Sequence, residues 1–66
     1  MKLTINGEPR EFEENKSLLD ILKELNLDGK VMATAVNMEI VKQDKWSDYK
    51  PSDGDKLELL DFVGGG

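Results

Sequence analysis

Ser17-Leu18-Leu19-Asp20-Ile21-Leu22-Lys23-Glu24-Leu25 is the stretch on which the fold turns. Leu18, Ile21, Leu22 and Leu25 stand at i, i+3, i+4 and i+7, so they form one apolar stripe along an α-helix. Leu19 flanks the stripe, while Asp20, Lys23 and Glu24 face water. The Ser17 hydroxyl is the expected cap for an early backbone N–H, with Asp20 where a capping-box acid would stand. Asn26 and Asp28-Gly29 supply the stop, glycine being expected to take the conformation that a Cβ disfavours. A leucine stripe of this kind is ordinary core, and it needs a sheet to lie on.

Outward from the helix, both flanks read as strands. Lys2-Leu3-Thr4-Ile5 alternates polar and apolar residues, the period of a half-buried strand. Asn6-Gly7 is the strongest short-range hairpin signal, because both residues tolerate positive φ. Arg10-Glu11-Phe12-Glu13 alternates again with Phe12 inward, and Pro9, lacking an N–H, is expected at the start of that strand. On the C-terminal side, Val31–Val36 reads as a central strand, with Ala33 and Ala35 on one face so that the helix lies close. A tight turn at Asn37-Met38-Glu39 leads to a short strand at Ile40-Val41. Lys42 to Lys50 is irregular, and Pro51-Ser52-Asp53-Gly54-Asp55 is dense turn chemistry. The last strand runs from Leu57 to Phe62.

A single helix between the first and last strands lets those two strands lie side by side and parallel, the helix serving as crossover. This is the α+β β-grasp arrangement, a mixed sheet of four to five strands packed on one main helix. A two-layer sandwich with another strand order is the competing reading. Residues 1–63 form the domain and 64–66 a flexible glycine tail. The expected core is Leu3, Ile5, Phe12, Leu18, Ile21, Leu22, Leu25, Ala33, Ala35, Leu57 and Leu59.

Composition narrows the chemistry. The chain has 66 residues, no cysteine and no histidine. Disulfides and thiolate metal sites are excluded, and the commonest nucleophile and general base are missing. The net charge is −5, which argues against nucleic acid, suits docking on a basic protein surface, and also suits plain solubility. No apolar run approaches the roughly 20 residues needed to span a bilayer, so a cytoplasmic chain without a membrane role is expected.

The acidic pairs Glu13-Glu14 and Asp53/Asp55 could suggest a two-carboxylate hydrolase. Yet the first pair points to opposite sheet faces and the second flanks a turn glycine, so solvated turns account for them. Gly64-Gly65-Gly66 has no following helix and no Lys-Ser/Thr, which rules out a phosphate cradle. Trp46 and Tyr49 without basic neighbours make a poor base-stacking platform. Trp46 is read instead as a plug at one end of the core.

The glycine tail remains. Three glycines contribute nothing to packing and lose entropy when ordered. They fit either a frayed end or a slim carboxylate-bearing tail that threads a narrow channel in an activating enzyme. In the second reading the carboxylate attacks the α-phosphate of ATP within the partner's site. Strand alternation also places Leu60 and Phe62 on the outer sheet face if Leu57 and Leu59 point inward. Leu60 and Phe62 are therefore candidate partner contacts, and Val63, next to the glycines, is a further one.

Several segments together resemble the ThiS family of sulfur carriers in thiamin biosynthesis. They are Met1–Gly7, the leucine-rich helix after Ser17, Ala33–Val41 followed by Trp46, Asp53–Leu59, and the ending Phe62-Val63-Gly64-Gly65-Gly66. The resemblance implies a β-grasp (ubiquitin-like) fold and a chain that is not itself an enzyme but a co-substrate, monomeric when free. It implies that Gly66 is adenylylated by a ThiF-type enzyme using ATP and magnesium. Sulfur from a cysteine desulfurase then gives a thiocarboxylate that serves thiazole synthase, ThiG. Gly65 carries over as the penultimate glycine, and the role of Gly64 stays open. Two positions depart from the family pattern: Met38 stands where glycine is frequent, and Lys42 where proline is common. A related carrier or modifier, serving molybdopterin, cysteine or tRNA thiolation, and a plain interaction domain are the alternatives.

Overall fold

Asn6 and Gly7 have φ of 50° and 86°, so the chain reverses where the sequence places its Asn-Gly pair. The reversal joins β1 (Lys2–Ile5) to β2 (Glu8–Glu11) in an antiparallel hairpin, with Leu3 opposite Arg10 and Thr4 opposite Pro9. The computed structural model describes residues 1–61, with side chains described through Leu60. Phe12 follows β2 and is buried.

The helix α1 spans Leu18–Glu24 and buries Leu18, Ile21 and Leu22. Its start is fully partnered, as an isolated first turn would not be. Leu18 N–H donates to the Tyr49 carbonyl (2.7 Å) and Leu19 N–H to the Trp46 carbonyl (3.1 Å), while Asp20 N–H donates to Ser17 Oγ (3.1 Å). The segment that crosses between strands thus caps the helix from outside it. At the other end Asn26 takes φ 62°, Asn26 N–H donates to Lys23 O (3.0 Å) and Leu27 N–H to Leu22 O (2.8 Å). This is the Schellman pattern with asparagine in the left-handed position. The expectation for Gly29 is therefore corrected, since Gly29 has no positive φ; Asn26 has already turned the chain.

Three strands follow: β3 (Val31–Val36), β4 (Glu39–Val41) and β5 (Lys56–Asp61). The sheet order is β2-β1-β5-β3-β4. β5 is antiparallel to β3 and parallel to β1, with Thr4 opposite Lys56 and Ile5 opposite Leu57. The mixed sheet with adjacent first and last strands is the β-grasp order, and the sandwich reading falls away.

The core joins Leu3, Ile5 and Phe12 to the three helix residues, and adds Val31, Val36, Val41, Trp46, Leu57 and Leu59. Trp46 is buried and its indole Nε1 donates to the Val41 carbonyl at 2.9 Å, closing one end of the core as expected. Three residues expected in the core are only half-buried: Leu25, Ala33 and Ala35. Leu25 follows the last helical residue and packs at the margin. On β3 the inward face belongs instead to Val31, Thr34 and Val36. The ladder shifts between Val31, opposite Asp61, and Ala33, opposite Leu60. Two residues of β3 thus stand against one of β5, a bulge that brings Val31 to the face of Thr34.

Candidate functional site

β5 lies at the centre of the sheet, and in sequence it is followed by Phe62-Val63-Gly64-Gly65-Gly66. Its start is held by a side-chain network. Asp55 accepts from Ser52 N–H (2.8 Å) and Asn37 Nδ2 (3.0 Å), and Lys56 N–H donates to Asn37 Oδ1 (3.0 Å). Asp53 accepts from Lys2 N–H at 2.6 Å. Asp53 and Asp55 therefore satisfy backbone N–H groups of the turn and of β1, a structural task for the acids weighed as a hydrolase pair. Glu13 and Glu14 are exposed, and Glu14 lies 3.3 Å from the Met1 amino group.

Farther along β5, Leu57 and Leu59 point into the core while Glu58 and Leu60 are exposed, the alternation expected of a half-buried strand. Leu60 keeps 53% of its surface accessible. Cross-strand neighbours extend this outer face: Leu60 stands opposite Ala33 on β3, and Ala35 stands opposite Ile40 on β4. Ile40 is exposed and the two alanines half-buried. The small side chains of β3 thus floor an apolar strip between Leu60 and Ile40. Ile40 was not singled out from the sequence, where a short Ile-Val strand gives no sign of which residue faces out. The register of β4 supplies that sign. Phe62, Val63, Gly64, Gly65 and Gly66, and with them the boundary between domain and tail, lie outside the described residues.

Two ionisable groups near the helix are shifted. Lys16 sits 2.8 Å from Glu24, and that hydrogen bond holds its ammonium above the usual lysine value. Burial, with Asp55 and Glu39 nearby, pushes the Tyr49 phenol up. Both shifts have structural causes on the helix side of the sheet. Among the described residues no helix is long and apolar enough to cross a membrane.

Residues 3–66 match the family model described as the ThiS family. The chain belongs to the ThiS family. A sulfur carrier protein ThiS from Bacillus subtilis is 28% identical over 65 residues, covering 97% of this chain and 98% of that protein. The Escherichia coli sulfur carrier protein ThiS is 24% identical over 66 residues, the whole of both chains. A thiazole synthase from Paramagnetospirillum magneticum is 42% identical over all 66 residues, which span only 20% of that protein. The crystal structure of a thiamine biosynthesis protein (ThiS) from Geobacter metallireducens superposes with a TM-score of 0.83 at 30% identity, with full coverage of both chains. The ubiquitin-like β-grasp architecture of ThiS is thus the architecture of this chain.

Proposed function

We propose that this ThiS-family chain is a sulfur carrier of thiamine biosynthesis whose reacting group is the Gly66 carboxylate. The observation that carries the reading is the family match, which runs through the glycine ending to residue 66. The chain acts as a co-substrate: its own residues supply reach and a docking surface, and partner enzymes supply the catalysis. A carboxylate oxygen of Gly66 attacks the α-phosphorus of ATP on a ThiF-type enzyme, with magnesium, and pyrophosphate leaves. The terminal sulfur of a persulfide formed by a cysteine desulfurase then attacks the acyl carbon and AMP leaves. A thiol reductant cleaves the S–S bond of the resulting acyl disulfide and frees the thiocarboxylate. Gly65 and Gly64 supply a profile without side chains for entry into the partner's site.

The recipient is a thiazole synthase. The relative of that name, which contains a segment similar to this whole chain, supports the pairing: a carrier segment within the same polypeptide meets its acceptor at high effective concentration. Leu60, with Phe62 and Val63 beyond Asp61, forms the contact to partners, and the apolar strip toward Ile40 supports that assignment. The action takes place in the cytoplasm.

The test is intact-mass analysis after incubation with the activating enzyme, ATP, magnesium and a sulfur source. A gain equal to one sulfur replacing one oxygen, located at Gly66 by fragmentation, is expected; no gain sinks the reading. For the contact surface, Leu60→Ser with its fold confirmed by NMR should weaken binding to the activating enzyme about tenfold (about 1.4 kcal/mol). Unchanged affinity would remove Leu60 from the interface.

A further inference from the structure

The parallel pairing of β1 with β5 is short, yet it reaches one rung farther than β1 itself. Thr4 N–H donates to Asp55 O (3.0 Å) and Asn6 N–H to Leu57 O (2.9 Å). In an evenly spaced parallel ladder, the next bond would run from Leu59 N–H to the backbone carbonyl of residue 6. β1 ends at Ile5 and the chain turns away at Asn6-Gly7. The bond is made all the same: Leu59 N–H donates to the Asn6 side-chain oxygen, Oδ1, at 2.8 Å in a partly buried position. One residue therefore turns the hairpin with its backbone and continues the ladder with its side chain.

Leu59 is two residues before Asp61, the last residue of β5. The geometry points to Asn6 as a positioning residue for the tail: it staples the end of β5 against β1 and fixes the base from which the reacting terminus is presented. This rests on the carrier reading above and adds a residue, remote in sequence, to the presentation of Gly66. The gain is pre-organisation. A tail whose base is already fixed loses less freedom on entering a partner's site.

Asn6→Gly removes the acceptor and keeps a residue suited to φ 50°, whereas Asn6→Asp keeps both an acceptor and a turn-compatible residue. Ile21→Val, a mild core change on the helix, serves as the control for lost stability alone. Carrier-dependent pyrophosphate release by the activating enzyme would be measured for each, at a temperature where all are folded by NMR, together with hydrogen exchange at Leu59. Asn6→Gly is expected to raise the KM for the carrier about fivefold or more with kcat little changed, and to speed Leu59 exchange about tenfold relative to Leu57. Asn6→Asp and Ile21→Val should keep wild-type KM. An Asn6→Gly chain with wild-type KM, or an Asn6→Asp chain as impaired as Asn6→Gly, overturns the assignment. So does unchanged exchange at Leu59, a readout independent of activity. Wild-type chain that elicits no pyrophosphate release would instead overturn the carrier reading, leaving Leu59 exchange to decide the staple.

Discussion

Thr34 carries a hydroxyl into the interior, fully buried between Leu59 on β5 and Val41 on β4. Its Oγ1 has no hydrogen-bond partner among the described residues. An unpaired buried hydroxyl is destabilising, so Thr34→Val, which keeps the shape and the branched Cβ, should stabilise the fold by about 1 kcal/mol. In a domain of this size, that raises the melting temperature by about 4–8 °C, measurable by circular dichroism. The turn at Asn37-Met38 holds a second local conflict. Both residues have positive φ, 52° and 73°, and Met38 is 92% exposed, so nothing it packs against offsets the strain. Met38→Gly should add about 0.5–1 kcal/mol in thermal or denaturant unfolding, the relief of strain exceeding glycine's extra chain entropy. The sequence announced this conflict, because a methionine stands in the second central position of a tight turn. It did not announce Thr34, since a threonine in an apolar run is equally at home on either face of a strand.

At the scale of elements, the helix was legible almost to the residue. Its period and its serine cap are local devices, and local devices survive in sequence; the left-handed stop expected at Gly29 is taken by Asn26. Leu22 lies at the centre of the stripe and is fully buried. Leu22→Ala should cost about 2–5 kcal/mol in denaturant unfolding, a large share of a small domain's stability. A variant that unfolds with the wild type would show the stripe to be misphased. β3 was misread for the opposite reason. Its run Val31-Met32-Ala33-Thr34-Ala35-Val36 is apolar on both faces, so alternation gives no phase. The bulge after Val31 comes from pairing with β5, a long-range fact that no local window contains. The capping of α1 by the carbonyls of Trp46 and Tyr49 is likewise invisible before the crossing segment is folded over the helix.

For the molecule as a whole, both sheet edges are poorly suited to recruiting another strand. β2 presents Glu8, Pro9, Arg10 and Glu11, all exposed, with charges of both signs and a proline that lacks an N–H. β4 is three residues long, and the Val41 carbonyl is taken by the Trp46 indole. Neither edge is therefore a ready template for edge-to-edge pairing. The sequence suggests a tail at the glycine ending because three glycines offer no side chains to pack, and residues 62–66 lie outside the described ones. The Asn6–Leu59 staple was not legible, because Asn-Gly is already fully accounted for as a hairpin turn. The proposed role makes the tail and the domain separable. Deleting Gly65 and Gly66 should change unfolding free energy by less than about 0.5 kcal/mol while abolishing carrier-dependent pyrophosphate release. A large stability loss on deletion would mean that the glycines are structural.

The central place of β5 also has a mechanical consequence. A partner that grips the chain beyond Asp61 pulls along the axis of a strand flanked by β1 on one side and β3 on the other. The load then acts in shear on two ladders together, and their hydrogen bonds share it. A terminal strand at a sheet edge, pulled crosswise, would instead peel open one bond at a time. The chain is thus built like a tow line spliced into the middle of a cable, which can be tugged repeatedly at its end without the weave coming undone.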